Sequence, residues 1–83
     1  MVNFNELRRQ IQLLEQAIIE REKKLQTFKR AYENGGNPSA LTQSILVENE
    51  LRILRKEFEK KRIELEEAKR ELEARLPELE KRY

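Results

Sequence analysis

The chain has no cysteine, no histidine, no tryptophan and no aspartate. Lacking cysteine and histidine, it has neither disulfide staples nor the usual zinc ligands. Lacking aspartate as well, it has none of the common nucleophile–base pairs. Its 16 acids are all glutamate. They are so frequent that carboxylate pairs arise by chance, and an acid–base pair would need a pocket that shifts its pKa values. The sequence therefore predicts a protein that is not an enzyme, with no catalytic residue, no cofactor and no metal. Long apolar runs are missing too. None approaches the roughly 20 residues of a membrane span, and the opening MVNFNELRRQ has no signal-peptide pattern. The expected setting is cytoplasmic, with no membrane partner. Glycine and proline occur only twice each, and Gly35 and Gly36 are adjacent. Two glycines at that spacing do not make a phosphate-cradling loop.

What is present is charge on a leucine-rich helical pattern. Charged residues make up 41% of the 83 residues, and Glu, Lys, Arg, Leu and Ala dominate, as in long helices and coiled coils. The length allows one small domain. So short a chain buries a modest share of its surface and needs help from disulfides, metals or association. With the first two excluded, association remains.

Asn3 is a candidate N-cap, with Glu6 three residues later as in a capping box and Val2 and Leu7 placed as a hydrophobic staple. Phe4, Leu7, Ile11, Leu14, Ile18, Leu25, Phe28 and Tyr32 then recur in steps of three and four, with Arg21 filling the one gap, which is a heptad seam. The stretch Asn34-Gly35-Gly36-Asn37-Pro38 stops it. A glycine there suits a left-handed C-cap. Asn37 reads as the next N-cap, with Ser39 as its competitor, and Pro38 as the first helical residue.

A second seam follows: Val47, Leu51, Leu54, Phe58, Leu65, Ala68 and Leu72. Glutamates stand four residues before a cation in Glu20–Lys24, Glu48–Arg52, Glu57–Lys61, Glu66–Arg70, Glu71–Arg75 and Glu78–Arg82, a spacing that favours exposed helices. Folded antiparallel, the seams pair Leu25 with Val47, Ile18 with Leu54, Leu14 with Phe58 and Leu7 with Leu65. All four pairs are symmetric about residue 36, inside the turn. The predicted fold is all-α, a two-helix antiparallel coiled-coil hairpin. Its helices span about 4–34 and 38–76, its turn 35–37, and a tail 77–83 follows a break at Pro77, whose ring would clash with the carbonyl of Glu73.

Leu13, Ile19, Leu46, Ile53 and Ile63 lie off this seam, and Leu72, Leu76, Leu79 and Tyr83 extend past its end. Together they predict a dimer or partner interface. The expected assembly is a homodimer closing as a four-helix bundle. The expected role is a protein–protein interaction or scaffolding module. The basic clusters Arg8-Arg9, Lys23-Lys24, Lys29-Arg30, Lys60-Lys61-Arg62 and Lys69-Arg70 raise an alternative, a nucleic-acid-binding accessory role. Glutamates stand beside nearly every cluster and the net charge is only +2, so a solvated mixed-charge surface is favoured.

Overall fold

The start and stop signals of the sequence set the two helices. In the computed structural model, which describes residues 3–81 and the side chains of 3–76, α1 spans Phe4–Gly35 and α2 spans Pro38–Lys81. They pack on each other as a helical hairpin of 69 × 16 × 14 Å. No strand occurs among the described residues.

Asn3 caps α1 as expected: its Oδ1 accepts from the Glu6 N–H at 3.1 Å. The returning half of the capping box is not made, because Glu6 Oε1 accepts from Arg9 at 2.9 Å instead. A guanidinium offers the carboxylate a charge-assisted bond that a neutral N–H does not. Val2 lies outside the described residues. At the other end Gly36 has φ 61° and ψ 27°, and its N–H donates to the Tyr32 carbonyl at 2.8 Å. Asn37 then caps α2, its Oδ1 accepting from the Ser39 N–H at 3.0 Å.

α1 thus runs one residue past its expected end, and the turn shortens to residues 36–37. The larger difference is at Pro77. α2 continues through it to Lys81, with no break near Arg75. Proline removes one backbone hydrogen bond and crowds the carbonyl four residues back. Its φ is nevertheless helical, and its neighbours in ELEARLPELEK are strong helix formers.

The adjacent glycines make a clean contrast. A Cβ at either would meet nothing within 4 Å, and only Gly36 has positive φ. Gly35→Ala is expected to stabilise by about 0.5–1 kcal/mol, through helix propensity. Gly36→Ala is expected to destabilise by about 1–2 kcal/mol, the cost of a left-handed L-residue. Thermal melts of the two variants check the opposite signs.

Candidate functional site

Most of the expected seam residues turn inward, to different depths, but Tyr32 and Leu72 are exposed. Leu7, Val47 and Leu51 are buried, Leu51 to 1% exposure. Ile11, Leu14, Ile18, Leu25, Phe28, Leu54, Phe58 and Leu65 are half-buried. On α1 the seam ends at Phe28, since Tyr32 is exposed. On α2 it starts earlier than expected: Ala40 and Ser44 are buried beside the turn. Stepping back seven residues from Val47 and Leu51 reaches both, so the periodicity carried the signal. Their small side chains hid it. Ser44 is satisfied locally, donating to the Leu41 carbonyl at 2.7 Å.

Arg21 and Lys61 interrupt the seams, and both are half-buried. Each carries its charge to a glutamate. Lys61 Nζ lies 3.7 Å from Glu64. Arg21 Nε reaches the Glu50 carboxylate across the hairpin. That contact is between charges rather than a well-aligned hydrogen bond, since Nε has no acceptor in hydrogen-bonding geometry. Arg55–Glu22 at 3.1 Å and Lys29–Glu48 at 3.4 Å also cross between helices. Glu48 therefore turns to α1 rather than to Arg52. Among the described residues none of the expected i,i+4 pairs closes to ion-pair distance. An exposed i,i+4 pair is worth only tenths of a kcal/mol, so side-chain freedom or a cross-helix partner outweighs it.

The hairpin has two broad sides, and they differ in charge. On one, a groove near the turn is lined by Lys29, Tyr32, Glu33, Leu41, Ser44, Ile45 and Glu48. It shares Lys29 and Glu48 with a longer groove whose floor includes Leu25 and Leu51 and whose walls carry Arg52, Arg55, Lys56 and Glu59. On the other side, near the start of α1, a groove of about 350 Å³ is lined by Asn3, Glu6, Leu7, Gln10, Glu64, Glu67, Ala68 and Glu71. Its four glutamates face no lining cation.

The off-seam aliphatics divide between these sides. Leu13, Ile19, Leu46, Ile53, Ile63, Leu72 and Leu76 are all exposed, Ile53 most, at 64%. At about 100° per residue from the seam, Ile19 falls on the side of the turn groove, while Leu13, Leu46 and Ile53 fall on the acidic side. Ile63 lies on the outer edge of α2, lining a shallow groove with Arg62 and Arg70. Leu72 and Leu76 sit where α2 overhangs the start of α1. The side chain of Leu79 and the whole of Tyr83 lie outside the described residues. Sequence reading missed Leu41 and Ile45, both exposed beside the turn. Their adjacency to Ala40 and Ser44 hides them, because neither seam position is a large apolar residue.

No family model, curated protein or solved structure matches the chain. The surface must be read from its own chemistry. Neighbouring cations in a basic cluster project about 100° apart, but Arg8, Lys29, Arg62 and Lys69 share one side by heptad position, interleaved there with Glu15, Glu22 and Glu48. Among the described residues no helix is long and apolar enough to cross a membrane.

Proposed function

We propose that the chain is a non-enzymatic protein–protein interaction or scaffolding module. Its helices interlock as a coiled coil, and two copies associate as a homodimeric four-helix bundle. The observation that carries this reading is uncovered surface. The chain exposes 7052 Å². A globular monomer of 10.1 kDa would expose about 5,300 Å². The excess exceeds the roughly 800 Å² each partner contributes to a standard interface. It coincides with seven exposed off-seam or overhanging aliphatics, each worth about 1.5–3 kcal/mol when fully buried. The dimer takes one broad side of the hairpin, and the other side is left for a second protein.

Sedimentation velocity at micromolar concentration is expected to give twice the 10.1 kDa chain mass. A monomer that remains helical and monodisperse over that range rejects the homodimer.

A further inference from the structure

We propose that the overhanging end of α2 in one copy seats in the turn-end groove of a second copy, in a two-fold dimer whose hairpins point in opposite directions. This rests on the homodimer reading and specifies which surfaces meet.

Two sets of unpartnered apolar side chains lie at opposite ends of the hairpin. At the turn, Tyr32, Leu41 and Ile45 line one groove and are 41%, 39% and 52% exposed. At the other end α1 begins beside Glu71, since Asn3 and Glu71 line a common groove. Beyond it Leu72 and Leu76 have no helix opposite them and are 47% and 45% exposed. Leu41 and Leu76 are a whole number of heptads apart on α2, so they face the same side of the hairpin.

A chain cannot bring its own two patches together. Ile45 and Leu76 stand about 46 Å apart along one helix at 1.5 Å per residue. The occupant is therefore another molecule, and three features fit it to a second copy. First, length: α2 has 44 residues, about 66 Å, nearly the 69 Å extent of the hairpin. Two copies laid antiparallel side by side place each overhang beside the other's turn and leave neither end uncovered. Such an interface is isologous and closes. Second, charge: the turn-end groove carries Lys29 against Glu33 and Glu48, and its continuation along the same side adds Arg52, Arg55 and Lys56 against Glu59. Residues 72–83 carry Glu73, Glu78 and Glu80 against Arg75, Lys81 and Arg82. Both surfaces are of mixed sign, so this pairing brings no block of like charge together. Third, the alternative side is the poorer self-partner. Its groove is lined by Glu6, Glu64, Glu67 and Glu71 and by no cation; Glu6 and Glu64 reach Arg9 and Lys61 outside it, which leaves Glu67 and Glu71 to repel across a self-pairing there.

The cysteine-free chain permits a direct test in the full-length protein. In the Ile45→Cys/Leu76→Cys double variant every disulfide must join two chains, because the two positions are too far apart within one. Mild oxidation is expected to convert it to covalent dimer. Ile45→Cys and Leu76→Cys alone are expected to cross-link far more slowly, since identical positions lie at opposite ends of the antiparallel pair. In parallel, Leu76→Glu is expected to weaken dimerisation at least about 10-fold without loss of helical circular dichroism. A dimer that cross-links no faster in the double variant than in the singles, or that ignores Leu76→Glu, overturns this docking and leaves the homodimer standing. A wild-type chain that sediments as a monomer removes both.

Discussion

Replacing Leu51 by aspartate is expected to unfold the hairpin. Leu51 is 1% exposed, the most deeply enclosed large side chain among the described residues. It sits in the half of α2 nearer the turn, flanked by Ala40, Ser44 and Val47 on the N-terminal side of the same seam. Truncation alone, in Leu51→Ala, is expected to cost about 2–5 kcal/mol, the transfer and cavity terms together. Aspartate adds an unpaired buried carboxylate, and the nearest acids, Glu48 and Glu50, already face cations on α1. Arg21 is already paired with Glu50, Lys29 with Glu48 and Arg55 with Glu22, so drawing any of them to residue 51 would strip a glutamate of its partner. Small domains are stable by only about 5–15 kcal/mol, so the loss is a large share of the whole. The measurement is far-UV circular dichroism with a thermal melt. Ile53→Asp is the matched control, on the same helix but 64% exposed. It should keep its helicity and melt within about 0.5 kcal/mol of the parent as an isolated hairpin. If Leu51→Asp melts like Ile53→Asp, the seam does not hold the fold.

The second large effect depends on the sign of a charge. Ala68 is 7% exposed and lines the acidic groove beside Leu7, among Glu6, Glu64, Glu67 and Glu71. Ala68→Glu forces a longer side chain into the seam, costing about 1–3 kcal/mol by overpacking alone. It also adds a fifth carboxylate where no lining side chain is basic. The total is expected to exceed about 3 kcal/mol and to be partly relieved by salt, which screens exposed like charges over about 10 Å at 0.1 M. Ala68→Lys has similar bulk, but its stem can lie along the seam while the ammonium rises among the glutamates. It is expected to melt well above Ala68→Glu and to lose, not gain, stability as salt is added. Equal melting of the two variants would mean that the groove's charge has no energetic consequence.

Local signals told much of this before any packing was considered. Asn3, Gly36 and Asn37 mark helix ends by their own backbone chemistry, which needs no tertiary partner. The seams were legible because an apolar residue every three or four positions has one interpretation at 3.6 residues per turn. Ala40 and Ser44 escaped because small residues in a seam look like any other small residue. Pro77 misled in the opposite direction: its usual meaning as a helix stop was outweighed by helix formers on both sides. The exposed aliphatics were visible as off-seam residues, but Leu41 and Ile45 were not recognised among them.

The sequence by itself determined two long helices, the bend between them and the stripes that meet, because caps, glycine conformation and helical period are local properties. Only the tertiary structure decided which side of the hairpin is acidic and which mixed, and that α2 runs unbroken through Pro77. It also decided which glutamates cross to the other helix. The charge pattern depends on how residues far apart in the chain are brought side by side. A carboxylate four residues from one cation and beside another on the facing helix chooses by three-dimensional distance and solvent exposure, as Glu48 does with Lys29.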